Sequence, residues 1–279
     1  MLKVLSALVY SHMWIALCAC AMVAQTFHHY GYDWTTEPLV WLTFGGTLFI
    51  YAIHRIVGLN KLKALNFDLN PRYISIESSR NFVLIFGVLG AIVAALAFFR
   101  LSYTTQLYLT LPTAISVLYV SPILGNKKRL RDVGALKIFL IALTYALVSV
   151  VLVTAEIDHP LDNGIWLMFI EKFIFILAIT LPFDLRDLEI DQLGSARTIP
   201  MIIGYRKTIF LSLGLLWIAK GVVWANPQYD FTTATTLTLC YFITAGLVGM
   251  VNRKRSDLYY SFGLDGTMII QMLALYLMT

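Results

Sequence analysis

The sequence predicts an all-α, polytopic membrane protein folded as one domain over residues 1–279. Three observations carry that prediction: its composition, the spacing of its apolar runs and the placement of its basic residues. Of 279 residues, 59% are hydrophobic and 13% charged, whereas a soluble domain carries about 25% charged residues. A mean hydropathy of +0.75 leaves too few polar side chains to coat a water-soluble globule of this length. Disorder, collagen and coiled coil are excluded by the same arithmetic. At about 20 apolar residues per crossing, the chain has room for about nine spans joined by short loops.

Apolar runs closed by polar or Gly/Pro punctuation give nine candidates, at about 4–26, 38–58, 81–99, 103–123, 135–154, 164–183, 208–225, 233–251 and 258–278. The first run follows Lys3 but is longer than the apolar core of a secretory leader, so it reads as a span and not a cleaved signal. The ninth opens on a polar half-turn and contains Asp265. Cys18, Cys20 and Cys240 all lie in apolar stretches and read as small hydrophobes. No Cys/His spacing points to zinc or redox chemistry.

Basic residues fix the orientation. With the N-terminus placed in the cytoplasm, 17 of the 21 lysines and arginines fall in cytoplasmic segments, and Arg100 alone lies opposite. Lys137, Lys172 and Lys220 fall within or at the ends of spans. That asymmetry is the positive-inside pattern, and it suits a bacterial inner membrane with a cytoplasmic N-terminus. The net charge of +5 is thus topological, with some attraction to anionic membrane lipids, and no nucleic-acid partner is expected. The longer loops 59–80 and 184–207 fall on the same face, where they are expected to converge over one cavity.

The segment LPFDLRDLEIDQLGSARTIPMIIGYRKT, residues 181–208, concentrates the chemistry. Asp184, Asp187 and Asp191 stand at i, i+3 and i+7, which on one continuous helix makes a stripe about 60° wide. Three such carboxylates repel one another unless a cation intervenes. Mg²⁺, held by one or two carboxylates plus substrate phosphate oxygens, is one solution. The other is a solvated acidic helix end paired with Arg186 and Arg197. Gly194 is expected to end the helix, and Arg197-Thr198 to bring basic and hydroxyl groups back towards the acids. Acids at a membrane mouth beside a greasy interior suit a substrate with a diphosphate head and a hydrocarbon tail.

DLRDLEIDQLGSARTIPMIIG resembles the second aspartate-rich motif of the UbiA superfamily of intramembrane prenyltransferases. The nine-span frame, the orientation and the run LYVSPILGNKKRLRDVGALKIFLIALTYA are similar to that family as well. The resemblance implies a helical bundle around a central cavity, with a cytoplasmic cap over a Mg²⁺–diphosphate site. It implies transfer of a prenyl group from a prenyl diphosphate to a hydrophobic, often aromatic, acceptor. Asp184, Asp187 and Asp191 then take the metal-binding positions, and Arg197 a basic position beside the diphosphate. Metal and basic side chains would stabilise the departing diphosphate while an allylic cation forms.

The family's first motif, NDxxDxxxD, is not matched. Here the chain reads YAIHRIVGLNK from Tyr51 to Lys61, with Ala52, Arg55 and Leu59 at the acidic positions. His54, Arg55, Lys61 and Lys63 are candidates to meet diphosphate directly, Arg as a bidentate fork and Lys as a point charge. Topological anchoring explains the same cations. Two functions stay open: a Mg²⁺-dependent prenyltransferase, or a catalytically inactive protein of the same fold that binds, transports or scaffolds a lipidic molecule. Among intramembrane polar residues, Asp265 is expected to face the bundle. Glu171 and Lys172, about 100° apart, should find partners on other helices. Lys220 and His12 read as snorkelling or interfacial groups. The tryptophans largely describe an aromatic belt.

Overall fold

A backbone that crosses lipid must satisfy its own N–H and C=O groups, so long apolar runs become helices. Helices are the regular structure of all the described residues. The structure, a computed structural model, describes residues 8–9, 11–64, 80–121, 129–193, 197–252 and 255–279, with backbone alone for 61–64, 132, 190 and 193. In chain order these form α1 (Met13–His29), α2 (Pro38–Ala64), α3 (Arg80–Phe98), α4 (Tyr103–Tyr108) and α5 (Thr110–Val120). Next come α6 (Leu136–Glu156), α7 (Asn163–Arg186), α8 (Leu188–Leu193), α9 (Ile199–Ile203), α10 (Tyr205–Ala225), α11 (Phe231–Gly249) and α12 (Tyr259–Met278).

Seven of these, α2, α3, α6, α7, α10, α11 and α12, are long and apolar enough to cross a membrane, which makes the chain an integral, multi-pass helical protein. The other two expected spans are helical in a different form. In the first, a turn at His12, with φ +66°, precedes a 17-residue α1. The fourth is split at Leu109 into α4 and α5. Pro112 has no N–H for the Tyr108 carbonyl, so the helix loses a rung where it divides.

At the centre of the bundle stands α7. Of its membrane window 61% is buried, against at most 44% for any other span. Pro182 inside α7 leaves the Ala178 carbonyl without its helical donor, and the buried Ser212 hydroxyl of α10 donates to that carbonyl at 2.6 Å. A neighbouring helix thereby repairs the proline gap. α2 and α3 meet through small residues: a Cβ on Gly45 would lie 2.3 Å from the Gly90 carbonyl oxygen. Two π-turns, Leu147–Val151 in α6 and Tyr259–Leu264 in α12, shift the register of their helices next to Tyr145 and Asp265.

Candidate functional site

The acidic group forms at the C-terminal end of α7, where the helix does not run on straight. Asp187 caps α7 with φ −91° and ψ 8°, and α8 starts one residue later. This bend separates the expected stripe into two and one. Asp184 and Asp191 turn to the same cation, Lys137 of α6: its Nζ lies 2.9 Å from Asp184 Oδ1 and also contacts Asp191 Oδ2. All three side chains are almost wholly withdrawn from solvent. Asp184 Oδ2 is buried with no hydrogen-bond partner among the described residues.

Asp187 goes elsewhere. Its carboxylate accepts two hydrogen bonds from Arg186, Nε at 2.8 Å and Nη2 at 3.0 Å. Arg186 also reaches Asp257 at 3.7 Å and lies over the rings of Phe183 (4.9 Å) and Tyr260 (5.5 Å). The expectation of three carboxylates on one stripe is corrected accordingly, because the bend turns Asp187 onto a bidentate arginine fork. No three His, Cys, Asp or Glu side chains among the described residues converge to hold a metal.

Near this group lies a cluster of basic residues. His54 of α2 is half-buried and packs near the Tyr119 ring of α5, at 6.2 Å and an interplanar angle of 28°. The positive charges acting on it are those of Arg131, Arg55 and Arg129, together with His12. Arg131 lies 6.0 Å from the Tyr119 centroid, and Arg129 is buried. Tyr119 feels the charges of Arg131, Lys137, Asp184 and Asp191, so its ring is within electrostatic reach of both groups. Ala52 and Leu59, at the acidic positions of the unmatched motif, are buried hydrophobes.

Arg197 is exposed, and its backbone packs on Gly134, where a Cβ would lie 2.7 Å from the Arg197 carbonyl oxygen. Gly134 has φ +43°, so glycine serves both the conformation and the close approach. That contact holds the 197–198 segment against the approach to α6. Thr198 beside it is fully buried, and its hydroxyl has no partner among the described residues. The side chains of Lys61 and Lys63, the helix end expected at Gly194 and the loop residues 65–79 lie outside the described residues.

Spacing did not reveal Lys137, Arg129, Arg131 or Tyr119 as members of this group. One signal was available for Lys137, a single charge in an otherwise apolar span, which calls for a partner. Arg129 and Arg131 had a sufficient topological explanation that concealed them.

Tyr51, Tyr145 and Asp265 are partly buried and interact with one another within the bundle. Asp265 interacts electrostatically with both tyrosines and with Arg186, as a carboxylate facing the bundle should. Glu171 and Lys172 do find partners across helices, Tyr241 and Gln25 respectively. Lys220 lies 4.1 Å from the Trp217 ring centroid. His12 departs from the expected interfacial position, since it is buried at 4% exposure, 5.5 Å from the Tyr51 ring.

No family model matches the chain, and no curated protein matches it in sequence. Its backbone does match solved structures. A UbiA homologue from Archaeoglobus fulgidus superposes with a TM-score of 0.65 at 10% identity, over 98% of each chain. Another from Aeropyrum pernix K1 gives 0.65 at 12% identity, again over 98% of each. The A. fulgidus protein bound to DMAPP and Mg²⁺ gives 0.65 at 11% identity, over 97% of this chain and 98% of that one. Because the likeness extends from end to end, with a helical bundle of the same kind, this chain is a membrane protein of the UbiA fold.

Proposed function

We propose that the chain is a UbiA-superfamily enzyme that binds a prenyl diphosphate at this mouth and transfers the prenyl group to a lipophilic acceptor. One observation carries the reading: a buried Asp184–Lys137–Asp191 cluster and a basic group, His54 with Arg55, Arg129 and Arg131, both come within reach of the Tyr119 ring. Diphosphate is the ligand that such a basic group suits, since several donors can share its charge. The A. fulgidus homologue bound to DMAPP and Mg²⁺ adds support by its fold.

The residues present fit one Mg²⁺. Asp184 and Asp191 are two carboxylates at one point, and Asp184 Oδ2 has no partner among the described residues. One or two carboxylates plus phosphate oxygens is the usual Mg²⁺ set. Bound there, the ion would add Lewis-acid stabilisation of the leaving diphosphate. On the α2 side, Ala52, Arg55 and Leu59 offer no carboxylate for a second ion. Lys137, Arg55, Arg129 and Arg131 supply fixed positive charge where negative charge builds on the leaving group. The His54 Nε2 and Thr198 hydroxyl, both without partners among the described residues, are ready to bond phosphate oxygens. The partly buried Tyr51 and Tyr145 would help keep water from the allylic centre. In this reading Asp187 is a positioning residue that holds Arg186 at the bend. Arg197, exposed beside the buried Thr198, is a further candidate to meet the diphosphate; Lys61, named from the sequence, has its side chain outside the described residues. The mouth faces the cytoplasm, as the basic asymmetry requires.

A second reading is a UbiA-fold protein that binds a prenyl lipid without turnover. It is favoured by Lys137, which already occupies the position between the two carboxylates. Purified protein incubated with labelled geranyl diphosphate, Mg²⁺ and a panel of acceptors separates the readings. Transfer by the wild type, reduced at least about 100-fold in Asp191→Asn, supports the enzyme. Saturable binding without any product supports the binder.

A further inference from the structure

Asp265 is the one charged side chain of α12, and the diphosphate site makes no use of it. A carboxylate held inside a membrane bundle is a candidate functional group by default. The packing around it turns it inward. Phe262 and Gly266, on either side of it in the chain, both lie on Trp14 of α1: the two rings stack at 4.2 Å, and a Cβ on Gly266 would lie 3.2 Å from Trp14 Cζ2. From there Asp265 acts electrostatically on the fully buried Cys18 of α1, on Tyr51 of α2 and on Tyr145 of α6. Arg186 of α7 acts on it in turn, while its guanidinium is bound to Asp187 and faces Asp257. No hydrogen bond or ion pair occupies the Asp265 carboxylate among the described residues. Its charge is compensated at a distance, and its oxygens stay available to a ligand.

These groups share one level of the bundle. Tyr51 lies three residues, about 4.5 Å, further in than His54 on α2, and the two rings are 6.3 Å apart. Tyr145 lies eight residues, about 12 Å, beyond Lys137 on α6, and Asp265 six residues, about 9 Å, beyond Tyr259 on α12. The π-turn Tyr259–Leu264 ends immediately before Asp265, and Leu147–Val151 begins two residues after Tyr145. Such turns are frequent at functional positions. The allylic carbon of a donor is bonded directly to its diphosphate, and an attacking atom must approach it to about 3 Å. The polar end of an acceptor therefore falls at the level of Asp265, Tyr51 and Tyr145, all three only half-buried.

We propose that Asp265 is the general base of the transfer, which takes the proton of an attacking acceptor hydroxyl while Tyr51 and Tyr145 position that hydroxyl. This rests on the transferase reading and adds the acceptor's chemistry, a neutral alcohol or phenol. An acceptor carrying its own carboxylate would be repelled by Asp265. In the step, the bond from the allylic carbon to the diphosphate oxygen breaks, and its electron pair leaves with the diphosphate. A lone pair of the acceptor oxygen forms the new C–O bond. The O–H electrons stay on that oxygen, and the proton passes to an Asp265 carboxylate oxygen.

The test uses the purified full chain in neutral detergent with labelled geranyl diphosphate, Mg²⁺ and a panel of long-chain alcohols and alkylphenols. Their methyl ethers serve as acceptors without a proton to lose, and fatty acids as anionic ones. Affinity for a non-hydrolysable geranyl diphosphate analogue is measured alongside.

Asp265→Asn is expected to lower kcat for transfer to a hydroxyl acceptor at least about 100-fold and to leave analogue affinity unchanged. Asp265→Glu, which keeps a carboxylate, should recover part of the rate. In the wild type kcat should fall as the pH is lowered, and Asp265→Asn should lose that limb. Analogue affinity over the same pH range separates the limb from protonation at Asp184 or Asp191. The limb's absence from Asp265→Asn separates it from His12 and His54, whose rings lie near Tyr51. Wild-type kcat in Asp265→Asn overturns the proposal, as does a change confined to the acceptor KM, which would mark a positioning residue. Transfer by the wild type to acceptors without a hydroxyl, and to none with one, overturns this inference alone. Transfer to no acceptor removes the transferase reading with it. Should Asp265→Asn fail to fold, a wild-type kcat that is flat from about pH 5 to pH 9 overturns the proposal.

Discussion

The two sides of the proposed diphosphate mouth differ in charge and in the chemistry that sets it. On the α7–α8 side, Asp184 and Asp191 converge and Lys137 compensates them from α6. The α2 side presents His54 and Arg55, with Arg129 and Arg131 close by and hydrophobes at Ala52 and Leu59. Carboxylates on both sides would need bound cations before any anion could approach. Cations on one side need none. The difference teaches that much of the positive charge near this site is in the protein itself; on the proposed function, carboxylates for a metal ion are then offered from the α7–α8 side alone.

Lys137 is where that contrast breaks most easily. Replacing it by Met leaves two buried carboxylates without their counter-charge, and loss of one partner from such a cluster costs about 3–5 kcal/mol. Lys137→Met is expected to unfold at markedly lower temperature in detergent. Adding Asp184→Asn to it should recover a large part of that loss, because the second change removes one of the stranded charges. Thermal unfolding of the single and double variants measures this. Additive destabilisation would show that Lys137 and Asp184 do not compensate each other.

A smaller effect is expected at the proline gap. Ser212→Ala removes the donor that reaches the Ala178 carbonyl and should destabilise the bundle by about 1–2 kcal/mol. Prenyl-diphosphate affinity should stay unchanged, since Ser212 lies below the mouth. A loss of affinity with normal stability would show that the α7 bend above Pro182 depends on this bond and sharpens the acidic side.

The fold was largely legible because hydropathy and charge asymmetry act over whole segments, and small local errors do not disturb them. The break at Leu109 was written in Pro112, but the surrounding run is apolar enough to read as one span. At the site, the i, i+3, i+7 spacing brought Asp184 and Asp191 together correctly, since a gentle bend preserves the side of residues two turns apart. It failed for Asp187, which sits at the bend itself beside a competing arginine. Lys137 escaped notice because pairing between α6 and α7 is a tertiary fact, invisible to periodicity within either helix. His54 and Arg55 were legible beside the unmatched motif, whereas Arg129 and Arg131 escaped for a different reason: positive-inside anchoring and ligand binding call for the same residues.

Affinity for a non-hydrolysable geranyl diphosphate analogue, measured with Mg²⁺ and again with EDTA, tests the central claim most directly. If protein cations carry much of the diphosphate charge, removal of the metal weakens binding by no more than about tenfold, or about 1.4 kcal/mol. In the same assay Arg55→Ala weakens it at least as much, even at saturating Mg²⁺. Complete loss of binding in EDTA, together with an Arg55→Ala variant that binds as well as the wild type, would contradict the account.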